Sequence, residues 1–100
     1  MSSFENLNKE MRCGVFTNSH GQSLIVYDQE ITSPIQWVEY DKSDNQLYLV
    51  HEDGIPQPMG IDISAAVQDH LLHSQEVMLA RVSEKKIIQQ NFVPIVIKDY

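Results

Sequence analysis

Between residues 35 and 51 the chain alternates its side chains with a period of two. In 35–41, Gln36, Val38 and Tyr40 stand opposite Ile35, Trp37 and Glu39; in 45–51, Leu47, Leu49 and His51 stand opposite Tyr48 and Val50. Only Lys42-Ser43-Asp44 separates the two runs, which therefore predict a β-hairpin. An earlier pair, 12–17 and 22–27, is rich in β-branched and aromatic residues and flanks Asn18-Ser19-His20-Gly21. This is a second hairpin signal, with Gly21 free to take positive φ and Asn18 able to bond back to the turn. A third pair, 77–82 and 86–98, surrounds Ser83-Glu84-Lys85, and Val93, Ile95 and Ile97 form an apolar period-two face. Pro94 has no N–H to give a ladder, so the last strand is expected at an edge or at a bulge.

Helical spacing is clearest where Ile63, Ala66, Val67, His70 and Leu71 recur, behind Asp62 or Ser64 as a cap, with Gln68, Asp69, His73 and Gln75 directed to water. A shorter helix is expected near the N-terminus, where Phe4, Leu7 and Met11 follow Ser2 and Ser3. Residues 28–34 read as a connection ending at Pro34, and 52–60 (EDGIPQPMG) as the longest loop, because its prolines and glycines suit no regular element. The expected fold class is α+β: one domain, 1–100, with a strongly curved antiparallel sheet of about six strands. Two N-terminal hairpins, one helix and a C-terminal hairpin supply it, and a partly open barrel is the alternative.

Composition narrows the partners. Of 100 residues, 42% are hydrophobic and 21% charged, an ordinary globular balance. Fourteen Asp and Glu against seven Lys and Arg give a net charge of −7, which opposes binding to phosphate backbones. Lys9, Arg12, Lys42, Arg81 and Lys98 are isolated and only Lys85 and Lys86 adjoin, so no basic patch offsets the overall sign and no nucleic-acid partner is expected. A protein partner with a basic surface would be complementary, although surplus carboxylate also serves solubility alone. No apolar run approaches the roughly 18 residues of a membrane span, and 1–10 lack the charged-then-apolar order of a signal peptide, so a cytoplasmic protein with no membrane partner is expected. Cys13 is the single cysteine and is expected to be a structural thiol, which fits a reducing compartment.

No familiar catalytic spacing stands out. His70 and His73 lie three apart beside Asp69, but only His70 falls on the apolar face of the predicted helix, so neither a metal nor a cofactor is expected. The glycines at 14, 21, 54 and 60 are isolated and build no phosphate loop, and no Gly-x-Ser-x-Gly elbow occurs. Carboxylate pairs Glu39 with Asp41 and Glu52 with Asp53 would do acid–base work only inside an apolar pocket, and are expected to be solvated. The aromatic residues Phe16, Tyr27, Trp37, Tyr40 and Tyr48 concentrate in the first two hairpins, where they can fill a core or line a pocket. A pocket between helix, sheet and the 52–60 loop would be lined by Trp37, Tyr48, His51 and Met59 and would suit a small apolar ligand. Apolar residues on both faces of several strands exceed what one short helix covers, so a homodimer is expected, through sheet faces or the strand of Val93, Ile95 and Ile97. Three functions follow: a non-enzymatic accessory or adaptor protein acting as a homo-oligomer, a small-molecule binder or modest enzyme, or an acidic inhibitor that mimics nucleic acid.

Overall fold

The structure is a computed structural model that describes residues 13–17, 20, 22–30, 33–84 and 86–99. In chain order these form β1 (Gly14–Thr17), β2 (Ser23–Tyr27), β3 (Ile35–Asp41), β4 (Gln46–His51), β5 (Pro56–Pro58), α1 (Ala65–Leu72), β6 (Glu76–Ser83) and β7 (Lys86–Lys98). The strands make one sheet in the order β1-β2-β6-β7-β3-β4-β5, curled into a half-barrel. The expected N-terminal helix of Phe4, Leu7 and Met11, and the roles given to Asn18 and Gly21, lie outside the described residues.

All three predicted hairpins form: β1 with β2, β3 with β4, and β6 with β7. The sheet is nonetheless mixed rather than antiparallel, because β2 runs parallel to β6 and β3 runs parallel to β7. Period-two alternation reports which face a residue takes and carries no information about the direction of a non-local neighbour. The segment between β2 and β6, which contains three more strands and the helix, is long enough for the crossover that parallel pairing requires.

The seventh strand, β5, lies in the segment expected to be only a loop. It pairs Pro58, Gln57 and Pro56 with Tyr48, Leu49 and Val50 of β4. The Met59 N–H donates to the Leu47 carbonyl at 3.0 Å, and the His51 N–H to the Ile55 carbonyl at 3.3 Å. That register leaves both prolines at positions whose N–H would point away from β4, so the ladder loses no bond and the outer edge of β5 offers little to another strand.

Pro94 is accommodated differently from the expectation. β7 is an interior strand, but it exchanges neighbours along its length: 86–94 pair with β6, whereas 95–98 pair with β3. Pro94 sits at the exchange. The Ile95 N–H donates to the Gln75 carbonyl on the β6 side at 3.1 Å, so the missing N–H of Pro94 falls on the other side, where the ladder to β3 has not yet begun.

The β3–β4 turn is tied by side chains of its own residues. Asp41 accepts from the Ser43 N–H at 2.9 Å and the Ser43 hydroxyl at 2.6 Å, and Asp44 accepts from the Gln46 N–H at 3.1 Å. Asn45, expected to open the second strand, instead closes the turn at φ 56°, a left-handed conformation that asparagine tolerates. Helix α1 starts at Ser64, whose hydroxyl accepts from the Val67 N–H at 3.3 Å; Asp62 does not serve as the cap. Of the positions expected to face inward, Leu71 is fully buried, Val67 and His70 are half-buried and Ala66 is exposed, because a helix of eight residues lays only one turn-edge against the sheet.

The concave side holds the main core, built from Ile25, Tyr27, Val38, Tyr40, Leu47, Leu49, Met59, Ile63, Leu71, Val77, Leu79 and Val93. A smaller cluster of Leu24, Val26, Ala80 and Val82 lies on the opposite face of β2 and β6. All five residues of β2 are consequently buried. Such a strand reads as a continuous apolar run rather than an alternation.

Candidate functional site

The four residues expected to line one pocket fall on two faces of the sheet. Leu47, Leu49 and His51 point into the concave side, so Tyr48 and Val50 point outward, and Trp37 opposes Val50 on the same outer face. Met59 belongs to the inner core at 4% exposure. His51 is buried at 6% exposure and bridges two segments. Its Nδ1 lies 3.1 Å from the Ser33 carbonyl and its Nε2 lies 2.6 Å from Oε1 of Gln57. A carbonyl only accepts, so Nδ1 carries a hydrogen and the imidazole holds the 33–34 connection to β4 and β5. The inner pair is thus structural in its contacts, and the outer pair is half-buried on the opposite face.

Tyr48 lines a shallow groove on the convex side, about 180 Å³ in volume, whose other walls include Glu39, Asp41, Pro56 and Lys98. The sheet register builds it: Glu39 stands directly opposite Tyr48, and Asp41 lies beside Lys98 on the parallel neighbour. Trp37 donates its indole N–H to Glu39 Oε1 at 3.1 Å, while Lys98 Nζ approaches Glu39 Oε2 at 3.3 Å. The Tyr48 hydroxyl donates to Asp44 at 2.8 Å. Two carboxylates of the groove wall, Glu39 and Asp41, therefore stand beside the one ammonium of Lys98, a third, Asp44, holds the Tyr48 hydroxyl, and the charge of these four groups is negative.

Protonation follows the same contacts. Hydrogen bonds from Ser43 hold the Asp41 carboxyl below its usual value, and the bond to the Asp44 carboxylate pushes the Tyr48 phenol up. At neutral pH Asp41 is an acceptor only, while Tyr48 keeps its proton. Such a surface complements cations and hydrogen-bond donors laid along a strand.

The remaining expected chemistry is dispersed. His73 is exposed, with Nδ1 2.7 Å from the Asp69 carbonyl oxygen, whereas His70 is half-buried. Among the described residues no group of three His, Cys, Asp or Glu side chains could hold a metal ion. Asp53 accepts from the Ile55 N–H at 3.0 Å within an exposed turn, and Glu52 is exposed beside it. Burial and the nearby Asp28 charge push the Cys13 thiol up, away from the reactive thiolate.

The feature that sequence reasoning missed is on β7. Val93, Ile95 and Ile97, expected to be a docking face, pack on the inner core. The large apolar side chains left in solvent include Ile88, Phe92 and Val96 of the same strand, at 53%, 46% and 41% exposure, together with Ile55 at 62%. Their signal was present: no charged residue occurs from 87 to 97. An exposed strand with so few charges departs from ordinary edge protection. No family model, curated protein or solved structure matches the chain.

Proposed function

We propose that the protein is a non-enzymatic accessory or adaptor protein that acts as a homo-oligomer and presents its acidic outer groove to a basic segment of a protein partner. The observation that carries this reading is the gathering of exposed apolar side chains on β7, Ile88, Phe92 and Val96, while Met59 and His51 are buried in the interior. Apolar surface of this kind is covered in protein assemblies, where aromatic anchors dominate the contact. The groove adds a second contact of opposite character, with Glu39, Asp41 and Asp44 around Tyr48.

Native mass spectrometry of gently purified protein tests this directly. The reading predicts a multiple of the chain mass with no small molecule attached. A monomer retaining a discrete small ligand would replace it with the binder or enzyme reading. The groove is tested separately by titrating a lysine-rich peptide: Glu39→Gln with Asp41→Asn should weaken binding about tenfold or more, and added salt should weaken it further. Binding unchanged by both would remove the groove from the account.

A further inference from the structure

We propose that the free edge of β7 between 86 and 93 pairs antiparallel with the same edge of a second copy, so that two sheets join across a twofold axis at Asn91. This rests on the homo-oligomer reading above and names the surface that makes it. The β6 ladder occupies one side of 86–94, and β3 takes up the other side only from Ile95 onward. Among the described residues no strand pairs with that second side before Ile95. Lys86, Ile88, Gln89, Gln90, Asn91 and Phe92 are all exposed.

The register follows from one hydrogen bond. The Ile95 N–H points to β6, where it meets the Gln75 carbonyl at 3.1 Å. Strand geometry then turns the N–H and C=O groups of Asn91 and Val93 toward β6 and those of Gln90 and Phe92 outward. Pro94, next in the outward set, has no N–H. At the other end Ile88 is the extra residue of a bulge, since Arg81 opposes Gln89 while Val82 opposes Ile87. The competent edge is therefore short, and it is centred on Asn91. In a twofold pairing, Gln90 exchanges both backbone hydrogen bonds with the partner's Phe92, Phe92 does so with the partner's Gln90, and the two Asn91 residues face each other without a backbone bond.

The chemistry suits a second copy. Antiparallel self-pairing sets like charges close together wherever the segment carries them, and here 87–97 carry none. Residues 87–93, IIQQNFV, combine strong β propensity with amide side chains and contain neither Pro nor Gly. The bulge and Pro94 stop the ladder at both ends, and a twofold pairing uses this edge once in each copy, so the contact closes as a dimer.

Cysteine cross-linking reads the register. In a Cys13→Ser background, Asn91→Cys should give a covalent dimer on mild oxidation, because facing residues in a pair without backbone bonds lie at disulfide distance. Gln90→Cys, displaced from its own symmetry mate, should cross-link far more slowly. Gln90→Pro should abolish the dimer and leave the fold intact, since the lost N–H serves no bond within the chain. Phe92→Lys, which leaves the backbone unchanged, should weaken it by at least tenfold if the proline variant does not fold. A wild-type dimer in which the two cysteine variants cross-link equally, or in which Phe92→Lys has no effect, would overturn the edge pairing and leave the oligomeric reading standing. A monomeric wild-type protein would remove both.

Discussion

The Tyr40 hydroxyl donates to the Asn45 side-chain oxygen, and Asn45 passes the connection on by donating from Nδ2 to the Ile63 carbonyl at 3.0 Å. One asparagine thus links the end of β3, the β3–β4 turn and the segment that leads into α1. It also holds the left-handed backbone of that turn at φ 56°. Tyr40→Phe should lower unfolding free energy by about 1 kcal/mol, because a half-buried acceptor is left without its donor. Asn45→Gly should retain the turn and lose the bridge, whereas Asn45→Ala should lose the bridge and strain the backbone as well. Denaturant unfolding of the three variants checks the order, with Asn45→Ala less stable than Asn45→Gly.

The same tyrosine sets an alkaline limit. Burial pushes the phenols of Tyr27 and Tyr40 above the ordinary value of 10.0, and the Asp44 carboxylate does so for Tyr48. A raised folded pKa means that the neutral phenol is favoured by the fold. The stabilisation is therefore fully present below the unfolded pKa and is lost as pH rises through the folded values. Asp41 works in the opposite sense: its depressed carboxyl stabilises above the unfolded value of 3.8, and the contribution is lost as pH falls through the folded pKa. Thermal melts should show an alkaline decline beginning near pH 10, and Tyr40→Phe should make that decline shallower.

His51 offers a test of the inner face. Its ring bridges Ser33 and Gln57 from a buried position. His51→Leu keeps comparable volume but removes both contacts, and should cost about 1–3 kcal/mol. The β5 strand should loosen first, which proteolysis or amide exchange at Gln57 would detect.

The helix depends on its cap. Ser64→Ala removes the acceptor for the Val67 N–H and should destabilise the protein by about 1 kcal/mol. Ser64→Asp should restore most of that loss, since a carboxylate accepts the same bond at the positive end of the helix. Chemical denaturation of both variants gives the comparison.

Legibility in the sequence followed the range of the interactions. The β3–β4 hairpin was readable because alternation and a short polar turn are both local, and Asn45 shifted by one place only because its side chain reaches Ile63 across the fold. Neither parallel pairing was readable: Val38 meeting Ile95, or Leu24 meeting Met78, is decided by packing between distant segments. Pro56 and Pro58 argued against a strand, yet both sit where β4 asks for no donor. For the candidate surface, Trp37 and Tyr48 were identified as residues but not as members of one outer face distinct from His51 and Met59. Val93, Ile95 and Ile97 drew attention as the apolar face of β7, whereas its exposed side and its unpaired edge depend on where β3 begins to pair.

Amide exchange along β7, followed as protein concentration is raised, tests the account most directly. Asn91 and Val93 amides, turned toward β6, should be protected at every concentration. Gln90 and Phe92 amides should exchange rapidly in dilute protein and become protected together as the dimer forms. If those two exchange at one unchanging rate over the full range, the β7 edge does not mediate self-association and the account is contradicted.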